Sequence, residues 1–351
     1  MAPGAQRPAR LARALFGTPG NALLTVGILA VLAVALPLFF RWALLDAAFL
    51  PAEPASCTGA TGACWSFVIA KHSQILFGIY PEAERWRPAL VSAGLIGLLV
   101  WSVRPASWTM RLAFTWLAAM TAVYLLMRGG LFGLARVDTG NWGGLPVTLI
   151  LTVVSIGLGF PLAILLALAR RSRMPAISML ATIFIETVRG LPLLSILFIA
   201  SIMLPLLLPS ALLPDKFFRA LVALLLFSSA YMAEVIRGGL QSVPKGQMEA
   251  ALATGLSTWQ ARRLVVLPQA VATVIPALTN TIIVMIKNTS LVLVVGLFDL
   301  ISSGKAALAD PAWSSPAAET YLFIGAIFFV LCFAFSRFAH SLERRNKVAR
   351  T

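Results

Sequence analysis

The sequence is poor in the residues that do covalent chemistry. Among its 351 residues are 2 histidines, 3 cysteines and 13 acidic side chains, and only 12% of the chain is charged. No G-x-x-x-x-G-K-[ST] phosphate loop occurs; the nearest dipeptide, Gly304–Lys305, lacks the first glycine at the required distance. ATP hydrolysis by that route is therefore excluded. No G-x-S-x-G elbow, H-E-x-x-H helix or Cys/His pair on one face is present, so no enzyme class finds support. His72 has no second histidine, cysteine or carboxylate at ligand spacing, which argues against a metal site, and His340 ends an apolar run and reads as a surface residue. Cys332 lies inside an apolar run and reads as a small core residue. Cys57 and Cys64 bracket TGATGA; they either close a disulfide ring in an oxidising compartment or remain two thiols, and the sequence leaves both open.

Hydrophobic residues make up 59% of the chain, far above the share of a soluble domain. Apolar runs occur at Ala22–Phe40, Ala89–Val103, Leu112–Met127, Leu145–Ala169, Ala176–Leu208, Phe217–Ile236, Val266–Ile286 and Tyr321–Ala339. A span takes about 20 residues, so an all-α membrane protein of about eight transmembrane helices is expected, its second and third spans short and its fifth overlong. As one straight helix the fifth would run about 50 Å, and Gly190–Pro192 supplies the expected break. The basic head and first apolar run resemble a secretory signal. Pro37, Phe39, Phe40, Arg41 and Trp42 stand where a small-residue cleavage site belongs, so an uncleaved span is expected.

The net charge of +15 raises the question of nucleic acid, but the basic residues are not interleaved with stacking aromatics on a polar surface, so no nucleic-acid partner is expected. With the N-terminus in the cytoplasm, the inner segments gather Arg7, Arg10, Arg13, Arg104, Arg111, Arg170, Arg171, Arg173, Lys245, Arg262 and Arg263. The basic C-terminal tail lies on the same side, and only Glu249 and Glu343 oppose these charges. The positive-inside rule then places both termini, and the polar connector 238–268, in the cytoplasm.

That connector reads GGLQSVPKGQMEAALATGLSTWQARRLVVLP. Its spacing predicts two short helices joined at Gly255. Gly255 would adopt the positive φ of a helix end, Ser257 or Thr258 would cap the second helix, and Pro268 would open the helix that re-enters the membrane. The product is a small knob with Ala250 and Ala251 on its surface and Glu249 ready to meet a basic group.

Glu249, Gly255 and the Leu267–Pro268 pair at this separation resemble the EAA loop of the membrane subunits of ATP-binding-cassette importers, with Val265 where that family usually has isoleucine. ETVRGLPLL, SAYMAEVIRGGL, PKGQMEAA and KNTSL, in that order, narrow the likeness to the polar-amino-acid branch. NWGGLP at Asn141–Pro146 and the long N-terminal addition are most similar to the general L-amino-acid permease subunits. The resemblance implies a five-helix type I permease core over 142–351, preceded by a three-helix accessory region over 1–141 with an outer loop at 41–87. It implies a bacterial inner-membrane subunit whose loop engages a separate cytoplasmic ATPase dimer through Gly246, Glu249, Ala250, Ala251, Gly255, Leu267 and Pro268. ATP and magnesium would be held by that dimer and no cofactor by this chain. A second homologous permease subunit and a periplasmic amino-acid-binding protein, meeting the outer face near Asp215–Arg219 and Ser302–Glu319, would complete the assembly.

Several polar residues lie within the apolar runs, where they are costly against lipid. Glu186 and Arg189 share a helical face; either an ion pair that fixes packing or direct substrate contact accounts for them. Glu234, near the inner boundary, either pairs with Arg237, the favoured reading, or contacts substrate on the translocation route. Asn280, Lys287, Asn288, Thr289 and Ser290 give the penultimate span a polar side, which a translocation route would use. Lys287 either snorkels to the outer boundary or meets a passing carboxylate. The rival functional reading is an ion-gradient-coupled secondary amino-acid transporter using Glu186, Arg189 and Glu234 as a relay; a non-transporting scaffold subunit is a third.

Overall fold

The computed structural model describes residues 13–104, 107–131 and 133–348. Its order is α1 (Pro19–Phe40), α2 (Trp65–Phe77), α3 (Trp86–Ser102), α4 (Met110–Arg128), α5 (Gly144–Arg170), α6 (Pro175–Gly190), α7 (Leu193–Leu207), α8 (Lys216–Ser242), α9 (Lys245–Ala253), α10 (Thr258–Ala261), α11 (Leu267–Asn288), α12 (Leu300–Leu308) and α13 (Ala317–Val348). Among the described residues the only extended pairing is an isolated bridge between Ala48 and Cys64. The all-α expectation holds, and the count of eight is adjusted. Six helical stretches are long and apolar enough to cross a membrane, seven when α6 and α7 count as one broken span. The eighth, expected over Ala89–Val103, is α3, whose 17 residues make about 25 Å of helix, at the short end of the spanning range.

The break between α6 and α7 turns the chain by 105°. Pro192 disfavours helical backbone at the residue before it, and Leu191 takes φ −98° and ψ 139°, extended values. The start of α5 depends on glycine. Gly144 has φ +71°, and a Cβ there would lie 2.0 Å from the Leu76 carbonyl oxygen. No other residue fits both the dihedral and the approach. Its N–H donates to the Phe298 carbonyl at 3.1 Å, and the Leu300 N–H donates to the Thr148 hydroxyl at 3.2 Å, tying α5 to the turn before α12.

Two compact units can be separated. One holds the described residues up to Lys71 with Asp310–Thr320; the other holds His72–Ala309 and the chain from Tyr321 onward. Residue 141 therefore lies inside the second unit. In the first, α1 has no buried residue and Cys57 and Cys64 are disulfide-bonded, with Cα atoms 5.6 Å apart. In the second, α5, α8 and α11 pack closely through small residues. The Ser228 hydroxyl donates to the Ser155 carbonyl at 2.8 Å, and a Cβ on Gly159 would lie 2.8 Å from the Ser228 oxygen. Lower down, Ala163, Ala167, Met232, Ala233, Ile236 and Ala270 are buried together. Lipid tails are as apolar as leucine, so helix association in a membrane rests on such close approach and on hydrogen bonds between helices.

Gly238 and Gly239 separate these effects. A Cβ on Gly239 would meet the Ala270 carbonyl oxygen at 2.6 Å, whereas one on Gly238 would meet nothing within 4 Å. Gly239→Ala should destabilise the purified protein by about 1–3 kcal/mol through overpacking. Gly238→Ala should be neutral or stabilise by about 0.5–1 kcal/mol through helix propensity. Thermal unfolding in detergent measures both.

Candidate coupling surface and inner charge cluster

The connector after α8 folds as a knob. α9 ends at Thr254, and Gly255 follows with φ +86°. The Gly255 N–H donates to the Leu252 carbonyl at 3.0 Å and the Leu256 N–H to the Ala251 carbonyl at 3.3 Å. That bond pair is a Schellman motif, which needs a left-handed residue at Gly255 and satisfies two otherwise open carbonyls. No atom lies within 4 Å of a Cβ built there, so glycine is required for its dihedral and not for space. Ser257 then caps α10 as expected. The Gln260 N–H donates to the Ser257 hydroxyl at 3.3 Å, and the Ser257 N–H to the Gln260 side-chain oxygen at 2.9 Å, a capping box.

Two expectations are corrected. The second short helix is not separate: α10 continues through a π-helical turn, Arg262–Val266, into α11, where Pro268 takes its expected place in the first turn. Proline offers no N–H and its ring collides with the carbonyl four residues back. The Leu267 N–H reaches to the Arg262 carbonyl, five residues back, and this wider turn precedes the proline. Second, Ala251 is 5% exposed, on the inner side of α9, whereas Ala250, Glu249 and Gly246 face out. Met248 and Ala251, three residues apart, form the packed side. The Gln269 side-chain amide donates to Gln247 at 3.0 Å and ties the base of the knob to α11. Leu267 is half-buried and Pro268 exposed. The knob also exposes Leu252, Trp259 (58%) and Leu264 (60%), which the sequence reading passed over. Exposed large apolar side chains on a protrusion mark protein contact, and the sequence alone did not separate these three from the connector's other apolar residues.

Beside the knob lies a cluster of charges. Arg170, the last residue of α5, reaches Glu186 of α6 at 2.6 Å and Glu234 of α8 at 2.9 Å. Glu234 is also held by Arg237, whose Nε donates at 2.9 Å. Arg189 stands 3.8 Å from Glu186 and 3.9 Å from Glu234, with its guanidinium 5.8 Å over the Tyr231 ring. Three guanidiniums face two carboxylates, leaving one positive charge in excess. The expected Glu186–Arg189 and Glu234–Arg237 pairs are present, but the expectation missed that they are one network. Arg170 joins them, and the sequence presented it only as one of the basic residues stopping a span.

The other candidate path residues lie elsewhere. Asn280 and Lys287 are exposed on α11. Asn280 lines a cleft of about 210 Å³ with Pro276, Thr279, Ser336, His340 and Glu343. The Asn288 amide lies 4.0 Å from the Met285 sulfur, and the buried Thr289 hydroxyl donates to the Ile286 carbonyl at 2.7 Å. Ser290 is hydrogen-bonded to Asp299, the buried cap of α12, whose carboxylate also accepts the Ser302 hydroxyl and the N–H groups of Ile301 and Ser302. Thr289 and Ser290 are thus turned to structural bonds, and among the described residues no ion pair joins this group to the inner cluster. Burial pushes the Asp299 carboxyl above the usual carboxylate range, against the pull of its donors. Among the described residues no group of three or more His, Cys, Asp or Glu is placed to hold a metal.

A bundle of membrane-length helices with an exposed, capped knob on its basic side is the build of a membrane-embedded transport component. Residues 159–348 match the family model described as the binding-protein-dependent transport system inner membrane component. The inner membrane amino-acid ABC transporter permease protein YhdY of Escherichia coli (strain K12) is 46% identical over 96% of this chain and 92% of its own. The glutamate/glutamine/aspartate/asparagine transport system permease protein BztC of Rhodobacter capsulatus is 34% identical over 82% of this chain and 80% of its own. The shorter probable glutamine ABC transporter permease protein GlnP of Bacillus subtilis (strain 168) is 34% identical over 93% of its own length but only 58% of this chain. The chain belongs to the family of inner membrane components of binding-protein-dependent transport systems. It is a multi-pass inner-membrane protein, and the ion-gradient reading is left without support.

Two measurements follow from these sites. Arg170→Gln leaves Glu186 only Arg189 and takes one partner from Glu234, and should cost about 1–2 kcal/mol, reduced from the fully buried case by partial exposure; Arg171→Gln, at an exposed neighbour, should cost little. Thermal unfolding of the two variants compares them. Asp299 carries a folded-state pKa above its unfolded value, so its burial lowers stability as pH rises from the ordinary carboxylate range through the raised value. Asp299→Asn should flatten that slope in thermal scans run upward from about pH 4, the ordinary carboxylate range.

Proposed function

We propose that this chain is the permease subunit of an ATP-driven importer that moves L-amino acids across the inner membrane, and that it does no hydrolysis itself. The knob carries the reading: an exposed, doubly capped protrusion, Lys245–Ala253 with its hinge at Gly255, whose base is bonded to α11 and whose outer side shows Glu249, Leu252 and Trp259. It docks on a cytoplasmic ATPase dimer, which supplies ATP and magnesium. Closure of that dimer moves the knob, and with it α11 and the inner ends of α5, α6 and α8 that the Arg170 cluster binds together. Only a difference in the ATPase's affinity for the two permease conformations can drive the change.

Both termini lie in the cytoplasm. Residues 142–351 form the permease core and 1–141 an accessory region, a second homologous permease subunit completes the pathway, and a periplasmic binding protein meets the outer face near Asp215–Arg219 and Ser302–Glu319. Amino acids as cargo rest on the named activities of the relatives. Of the candidate pathway residues Glu186, Arg189, Glu234, Asn280, Lys287, Asn288, Thr289 and Ser290, the exposed Asn280 and Lys287 on α11 are the freest to meet cargo, since the charged three are held in the inner network and Thr289 and Ser290 in structural bonds.

The test is the purified assembly in lipid nanodiscs, with ATPase activity measured as binding protein and amino acid are added. Stimulation of the wild type, lost by tenfold or more in Glu249→Arg or Gly255→Val at undiminished thermal stability, is the expected result, roughly what loss of one central interface contact costs. Unchanged stimulation in both variants overturns the coupling role of the knob.

A further inference from the structure

In the first unit, one side of the N-terminal addition is seated on a stretch that belongs to the family-matched core. Cys64, just before α2, and Phe67 and Lys71, four residues apart on one face of α2, each hold a residue of Asp310–Thr320. The Cys64 N–H donates to the buried Glu319 carboxylate at 2.7 Å, Phe67 meets Trp313 edge-on at 5.3 Å, and Lys71 pairs with Asp310 at 2.6 Å. Residues 310–320 fall within the matched range 159–348, whereas 41–71 precede it, and a relative matched over 93% of its length covers only 58% of this chain. In this chain, whatever approaches 310–320 from the outer side therefore meets the addition as well.

The part it meets is built for contact. The Cys57–Cys64 disulfide closes a short ring, and the Ala63 N–H and Trp65 ring N–H anchor its second strand to the carbonyls of Trp42 and Ala43 at 2.8 and 2.7 Å. Thr58, Gly59, Ala60 and Thr61 form its exposed rim, small and uncharged. A cross-linked rim gives up little conformational entropy when a partner binds, and small side chains let two backbones come close. Lipid is the poorer occupant, since this rim exposes hydroxyls and backbone and no large apolar side chain. We infer that the disulfide ring 57–64 is part of the docking surface for the periplasmic binding protein, added in this chain to the core loop 310–320. The inference rests on the proposed delivery of cargo by such a protein.

The experiment uses the full assembly in nanodiscs with its liganded binding protein, and photo-crosslinking side chains at Thr58 and Thr61 on the ring and at Ser314 on the core loop. Capture of the binding protein at Thr58 or Thr61 as well as at Ser314 is the expected result. Capture at Ser314 alone, or label recovered only on lipid from the ring positions, overturns the ring's role and leaves the importer reading standing. Capture nowhere, with no ATPase stimulation, overturns both. As a second readout, Thr58→Trp and Thr61→Trp should raise the half-maximal binding-protein concentration about tenfold at unchanged basal ATPase activity; an unchanged concentration overturns the inference.

Discussion

Lipid gives helices no hydrophobic reason to associate, and the architecture follows from how this chain answers that. Ser155, Gly159 and Ser228 bring α5 and α8 together, and Gly239 and Ala270 do the same for α8 and α11. Once these three helices are at backbone distance, their long polar side chains have few places to go. Arg170, Glu186, Glu234 and Arg237 converge because the small residues above them fix the spacing. The network is then a consequence of the packing, and it extends the fastening to α6, which has few buried residues of its own.

The same economy governs the knob. Its shape is set by backbone bonds and caps, the Schellman pair at Gly255 and the capping box at Ser257, and hardly by a core: Ala251 and Ala261 are its only fully buried side chains. A protrusion held by hydrogen bonds keeps its form while nearly all its side chains stay free to meet another surface. That arrangement suits the docking proposed for it, which would gain most at the exposed Leu252, Trp259 and Leu264.

Local chemistry was legible in the sequence and long-range pairing was not. The positive φ at Gly255, the Ser257 cap and the break at Pro192 all follow from what glycine, serine and proline do to the backbone within a few residues, and each stands where expected. The helix class was legible because apolar runs near 20 residues admit little else. What stayed hidden needed distance in space. Arg170 is 16 residues from Glu186 and 64 from Glu234, and no periodicity connects them. Ala251 could not be told from Ala250 until the packed side of α9 was known. The separate second helix was wrong because a proline in a helix can be answered by a wider turn as well as by a break. The span count turns on α3, whose 17 residues sit at the short end of what crosses a bilayer.

The wide turn at Arg262–Val266 also sets where everything after it points. A π turn holds one residue more than an α turn, and each residue of an α-helix advances the azimuth by about 100°. The bearing of Thr279 and Asn280 around the axis of α11 is therefore written ten or more residues upstream, at the foot of the knob. Let the five residues tighten into ordinary α-helix with none removed, and the hydrophilic meridian of α11 swings by about a quarter of a circle toward a different neighbour, with Thr279 and Asn280 themselves unaltered.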